Sequence, residues 1–198
     1  RYGLPDLRSY DPLRPRPFVR LLAEMGDPDP ILGGALDRAP PGLCGAWAVR
    51  WLLAPPGVAV PGWERVASDP GGTIHRNPRW LPTVRAVPGT LVLPEEEGWR
   101  RLAADEVDHE NVVVLPPGSP ELDGETARIL HVLDHGARIA VETSCLDGCI
   151  LVAARPWAPG WRALVDGREA PLLRANLAGL GVAVPPGEHA AELVYRPW

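Results

Sequence analysis

The 198-residue chain has 45% hydrophobic and 23% charged residues and a formal net charge of −5. Its length suits one large domain or two small ones, and its composition excludes a wholly disordered chain. All 20 basic residues are Arg, none in a basic stripe, so nucleic acid is not the expected partner. No apolar run reaches the roughly 18 residues a membrane span needs. The 25 Pro and 21 Gly argue for short elements and tight turns and against a helix bundle.

In chain order, Phe18 to Met25 carries apolar residues at helical spacing and stops at Gly26. A second short helix is predicted over Ile31 to Leu36. The nearly continuous apolar run Leu43 to Ala54 reads as a helix turning into a buried strand. Short strands are predicted at Trp63–Ala67, Thr73–Arg76 and Thr83–Val87. A helix follows from Glu95 to Ala104, with acids in its first turn to suit the helix dipole.

From about residue 109, strand-like runs recur at spacings of about 8–12 residues. They are Asn111–Leu115, Arg128–Leu133, Arg138–Thr143, Cys149–Ala154, Trp161–Val165, Glu169–Arg174, Leu177–Val184 and His189–Tyr195. Asp166-Gly167 is the strongest two-residue hairpin signal. The expected fold is α+β: a small N-terminal α+β subdomain over 1–106, then an antiparallel β-sandwich or jelly roll over 107–198.

Little in the chain carries catalytic chemistry. There is no Gly-rich nucleotide loop and no serine elbow. Cys145 and Cys149 bracket Leu146-Asp147-Gly148, a three-residue hairpin loop. Flanking strands would bring the two thiols to disulfide range; two reduced, half-buried Cys are the other reading. A lone C-x3-C supplies half a zinc site, and no metal is expected. His131 and His135 fall on a strand and in its turn, so they do not converge. His109-Glu110, with Glu106 and Asp108 before it, reads as a solvated charged connector. Trp47, Trp51, Trp63, Trp80 and Trp99 read as core or edge packing. Trp157 and Trp161 flank a loop at a sandwich end, where they either pack across the mouth or offer a stacking face to a sugar.

A series of ordered motifs spans nearly the whole chain. It runs Ser9-Tyr10-Asp11-Pro12-Leu13, Gly45-Ala46-Trp47-Ala48-Val49-Arg50-Trp51-Leu52-Leu53 and Arg76-Asn77-Pro78-Arg79-Trp80-Leu81-Pro82. It continues through Pro159-Gly160-Trp161, Asp166-Gly167, Arg174-Ala175-Asn176 and Val184-Pro185-Pro186-Gly187-Glu188-His189 to Tyr195-Arg196-Pro197. This resembles the C-terminal extracytoplasmic region of YfhO-like bacterial membrane proteins. It departs from their pattern at Trp157-Ala158 and at Thr83.

The resemblance implies a domain excised from a polytopic GT-C-type glycosyltransferase-like protein that uses a polyprenyl-phosphate-linked sugar. The domain would sit on the extracytoplasmic face of the bacterial cytoplasmic membrane, beside the membrane-embedded part of the same protein. Catalytic carboxylates would lie outside this chain, so it holds no catalytic residue and no cofactor of its own. Its role would be to position an acceptor glycan or a polyprenyl-linked sugar, or to act as a carbohydrate-binding or purely structural cap. Substrate-facing candidates are Tyr10, Asp11, Asn77, Arg79, Trp157, Trp161 and Asn176. A Cys145–Cys149 bridge suits an extracytoplasmic location.

Overall fold

The computed structural model describes residues 15–26 and 39–197. Helix α1 (Arg16–Glu24) follows Pro15 and buries Phe18, Leu21 and Leu22. Pro at its start fits the fixed φ of a first turn, and the i, i+3, i+4 spacing turns all three side chains to one side. Helix α2 (Pro41–Ala46) is short and buried. Strand β1 (Trp51–Ala54) pairs with β3 (Gly72–Arg76), which also pairs with β2 (Glu64–Asp69). This three-stranded sheet is antiparallel throughout.

Strands β4 (Val84–Val87) and β5 (Gly89–Val92) lead into helix α3 (Glu95–Ala103) and then β6 (Val112–Leu115). Arg20 holds α1 to α3 through a two-pronged ion pair to Glu96, with N···O distances of 2.6 and 2.7 Å. Its guanidinium also lies 5.2 Å from the Trp99 ring centre.

The remaining strands are β7 (Ala127–Asp134), β8 (Arg138–Cys145), β9 (Cys149–Ala153), β10 (Trp161–Val165), β11 (Arg168–Ala170), β12 (Leu173–Ala175), β13 (Gly179–Val184) and β14 (Gly187–Tyr195). Five of them form a sheet in the order β11-β10-β14-β8-β7. A second sheet runs β12-β13-β9-β4. Every pairing in both sheets is antiparallel. Ile139, Val141, Ala191 and Leu193 of the first sheet and Leu151, Leu180 and Val182 of the second share one apolar cluster. The mostly antiparallel sheets and this shared core are the arrangement of a β-sandwich.

Strand β9 explains how the layers stack. All five of its residues are buried. Side chains alternate faces along a strand, so Cys149, Leu151 and Ala153 enter the inter-sheet core while Ile150 and Val152 join Val113 and Leu115 of β6 on the other side. A strand covered on both faces reads as an unbroken apolar run, and Cys-Ile-Leu-Val-Ala is one.

Several elements differ from the sequence expectation. Glu169–Arg174 is not one strand: Pro171 interrupts it, and β11 and β12 belong to different sheets. Strand β6 is not antiparallel to a neighbour; it pairs in parallel with β5. Strand β1 is not buried: Trp51 and Leu53 face outward. The helix expected over Ile31 to Leu36 lies outside the described residues. Strand β4 pairs with β9, so strand pairing crosses residue 106, the expected subdomain boundary.

Cys145 ends β8 and Cys149 begins β9, and these strands lie in different sheets. The loop between them is therefore a corner of the sandwich and not the hairpin its length suggested. The structure joins the two residues as a disulfide, with Cα atoms 5.9 Å apart. Gly148 turns the corner at φ 89°.

Candidate functional site

The densest polar constellation surrounds Asn77, which directly follows β3 and precedes Pro78. Its amide N–H groups donate to the carbonyls of Pro41 (2.8 Å) and Val49 (3.1 Å). Its Oδ1 accepts from the Arg79 backbone N–H at 2.9 Å, an Asx turn that Pro78 stiffens. Its own backbone N–H donates to Arg50 O. Asn77 is buried, and its side chain ties three chain segments together.

Arg79 continues the arrangement. It donates to Asp105 Oδ2 at 2.7 Å and to the Val107 carbonyl at 3.1 Å. Asp105 Oδ1 in turn accepts from the Leu43 N–H in the first turn of α2. That amide has no partner within the helix, so the carboxylate caps it from outside. Two glycines make room for the lock. A Cβ on Gly45 would collide with the Arg79 carbonyl oxygen, and one on Gly42 would lie 2.6 Å from Arg79 Cζ.

Deeper in, Arg85 on β4 is buried and donates to the carbonyls of Ala46 (3.0 Å) and Pro82 (3.1 Å). Burial lowers its pKa to about 10, so it stays charged at neutral pH. Its Nε has no partner among the described residues. His109 is 2% exposed, and neither ring nitrogen has a partner among the described residues. Burial, reinforced by the Arg85 and Arg79 charges and opposed by Asp108, pulls the His109 pKa down to about 3. The expected solvated connector is thus a buried neutral imidazole. No sequence period marks it, because its burial comes from tertiary packing and not from its place on a helix or strand.

The other predicted residues lie elsewhere. Asn176 is buried, with φ 47°. Its backbone N–H donates to Val114 O and its Oδ1 accepts from Val114 N–H, so it closes the β12–β13 turn onto β6. Trp157 and Trp161 pack against the inter-sheet core. The Trp157 N–H donates to Ala178 O at 2.7 Å, and the Trp161 ring sits 5.4 Å from that of Tyr195. Tyr10 and Asp11 fall outside the described residues.

Among the described residues, the predicted ones do not all come together. Asn77 and Arg79 share one lock, Asn176 serves a second, and the two Trp belong to the sandwich core. Two surface depressions are lined by Thr126, Arg128, Ser144 and Glu188 and by Thr90, Glu121 and Asp123. Apart from Cys145 at the edge of the first, neither holds a predicted site residue. Among the described residues, no group of three or more His, Cys, Asp or Glu is placed to hold a metal ion. No helix among them is long and apolar enough to cross a membrane.

Of the Trp expected to pack, Trp47, Trp63 and Trp99 are buried, whereas Trp51 and Trp80 are exposed by 49% and 38%. No protein-family model matches the chain, and no curated protein matches it.

Proposed function

We propose that this chain is a non-catalytic extracytoplasmic domain of a membrane protein resembling polyprenyl-phosphate-sugar-dependent glycosyltransferases, and that it acts as a braced cap beside the membrane-embedded part. The observation that carries this reading is the use made of Asn77, Arg79 and Asn176. These three belong to the motifs behind the resemblance, and each directs its polar atoms to backbone or carboxylate groups of this same chain. A substrate site needs polar groups that converge on free space, and these three are each engaged by groups of the same chain.

The finer architecture belongs to the same proposal: an α+β unit over 1–106 followed by a jelly-roll-like unit over 107–198. In its favour, α1, α2 and α3 share an apolar cluster with Trp47 and Trp63. The two units are not separate, since β4 of the first pairs with β9 of the second and Val114, Leu177 and Ala178 join the helical cluster.

A second reading has one observation behind it. Trp161 and Tyr195 form a tilted aromatic pair, and Tyr195 is 37% exposed. Such a face can stack on a sugar ring and would let the domain position glycan.

The test is a polyprenyl-phosphate-sugar transfer assay on the complete gene product in membranes. The cap reading expects Trp161→Ala to transfer at the wild-type rate while Asn77→Ala lowers the amount of folded protein. Transfer that falls at least tenfold in Trp161→Ala, with protein level unchanged, replaces the cap with a glycan-positioning site. A gene product without membrane spans refutes both.

A further inference from the structure

Arg50 directly precedes β1, and its guanidinium lies over two indoles. It is 5.4 Å from the Trp51 ring centre and 5.0 Å from that of Trp80. All three side chains belong to exposed residues. Stacking occupies the flat faces of a guanidinium and leaves its N–H edge free. Among the described residues, that edge meets no carboxylate.

The Asn77 lock holds this clamp from behind. The Asn77 N–H donates to Arg50 O at 2.9 Å, and the Trp80 N–H donates to Asn77 O at 3.4 Å. The Asn77 amide also donates to Val49 O. The backbone at Arg50 and at Trp80 is thus tied to one buried residue, and little ordering remains to oppose binding.

The neighbouring charges are accounted for. Trp51, Arg76 and Glu64 form one row across the sheet, and Arg76 donates to Glu64 at 2.9 Å, a closed neutral pair. Arg79 is committed to Asp105. Arg65 pairs with His75 and so belongs to the opposite, buried face. Asp69 shares the outward face, but it pairs with Gly72, four residues along β3 from Arg76, or about 13 Å. That exceeds the screening length of about 8 Å at physiological salt. Among the described residues, Arg50 is left as the uncompensated charge beside the rings.

Two indoles and a free guanidinium edge call for a ring with an apolar face and an oxyanion beside it. A pyranose carrying a carboxylate or phosphate offers both. Its C–H face packs on indole, and its oxyanion accepts two parallel N–H bonds from Arg. The clamp is open: neither surface depression described above includes it, so it is not shaped to enclose a whole small molecule. Leu53 and Ile74, in the next outward row, extend the apolar strip along the strands. Such a strip suits one sugar of a chain whose neighbours run past it.

We propose that Trp51, Arg50 and Trp80 form a binding site for an acidic glycan, a chain of sugars bearing carboxylate or phosphate groups. The inference goes beyond the reading of the chain as a cap. Asn77 braces the clamp and touches no ligand.

The test follows the indole N–H signals of the 198-residue chain by NMR, with Trp51→Phe and Trp80→Phe to assign them. A galacturonate tetrasaccharide is titrated against its methyl ester, and a mannose oligosaccharide ending in 6-phosphate against its dephosphorylated form. Saturable shifts of Trp51 and Trp80 are expected with at least one charged probe, which should bind about tenfold more tightly than its neutral partner. The probe that answers tells carboxylate from phosphate. Arg50→Gln should bring the charged probe down to the level of the neutral one, and Trp80→Ala should cut its affinity about tenfold. An unchanged thermal transition verifies each fold. Should Trp80→Ala fail to fold, Arg50→Gln carries the comparison.

No saturable shift at Trp51 and Trp80 with either charged probe overturns the inference. Equal affinity for charged and neutral partners does so too, as does equal affinity of wild type and Arg50→Gln. Tighter binding of tetra-aspartate overturns it in favour of an acidic peptide, and tighter binding of AMP in favour of a nucleotide. The titration needs no membrane, so its failure leaves the cap reading standing, and a gene product without membrane spans leaves this site standing.

Discussion

Arg79, Arg85 and His109 lie close enough for the two guanidinium charges to act on the imidazole, whereas Arg138 and Arg162 are on the outer face of the five-stranded sheet and His189 is at its rim, near the start of β14. Within the first group, Arg85 and His109 are buried and donate to backbone or to nothing. The second group pairs with carboxylates across neighbouring strands: Arg138 with Glu192, Arg162 with Glu169 and His189 with Asp166. The residue types are the same and the consequences opposite. Burial lowers the His109 pKa, while the hydrogen bond to Asp166 raises that of His189. Surface pairs are worth little and are screened by salt, so the buried set should dominate stability.

The largest effect should come from filling the space under Arg79. In Gly45→Ala the new methyl meets a backbone oxygen, which cannot rotate away. The loss should be at least about 4 kcal/mol, among the largest for a single change. Urea unfolding checks it. A loss below about 1 kcal/mol would mean that the lock is loose and the contrast with the surface pairs false.

His109 gives the next effect, and it has a sign. Its pKa is about 6.5 when unfolded and about 3 when folded. Above pH 6.5 both states are neutral and nothing is lost. As pH falls below 6.5 the unfolded state takes up a proton that the folded state refuses, and stability drops until the folded group titrates near pH 3. The slope is at most about 1.4 kcal/mol per pH unit, so about 3 kcal/mol is lost by about pH 4.5. His109→Gln should flatten this part of the stability–pH curve. An unchanged acid slope in that variant would show that His109 reaches solvent.

The disulfide comes third. It closes a loop of five residues, so reduction should cost about 2 kcal/mol by loop entropy. Comparing thermal unfolding with and without reductant measures it. Because the bridge joins two sheets at a corner, losing it should raise amide exchange at the ends of β8 and β9 first.

The sequence made the strands and their turns legible where local chemistry alone decides them. Asp166-Gly167 forms a two-residue hairpin with both residues at positive φ, as the dipeptide implies. Cys149–Ala154 was legible as a strand, and its unbroken apolar run suits the cover that β9 has on both faces. Partner choice was not local and was not legible. Nothing in Cys145 to Cys149 says that its strands part into two sheets, and nothing in Glu169 to Arg174 except Pro171 says that the run divides. The Asn77 lock was visible as a motif but its hydrogen-bond partners were not, because an amide aimed at backbone and one aimed at a ligand have the same sequence. The exposure of Trp51 and Leu53 was hidden for a related reason. An apolar run looks alike whether its cover is protein or lies outside the chain.

The smallest effect belongs to the pair formed by Asp166 of the β10–β11 turn and His189 of β14. His189 Nδ1 lies 2.6 Å from Asp166 Oδ2, and Asp166 Oδ1 accepts from the Ala190 N–H at 3.0 Å. The hydrogen bond to Asp166 and then that to Pro186 O raise the His189 pKa, and the same His189 contact leads in lowering that of Asp166. A raised His pKa gives stability that is complete below pH 6.5 and lost as pH rises through the folded value. A lowered Asp pKa gives stability present above pH 3.8 and lost as pH falls through its folded value. The pair therefore helps most between these limits, where both partners are charged. His189→Gln should lower the urea midpoint slightly near pH 5 and not at pH 9, and added salt should shrink the difference. Over the same acid range His109 pushes stability the other way. The single variants should separate the two slopes, and in the double variant they should add, because the sites share no partner. A salt-insensitive loss in His189→Gln larger than that in His109→Gln would invert the comparison and place the costly imidazole on the sandwich.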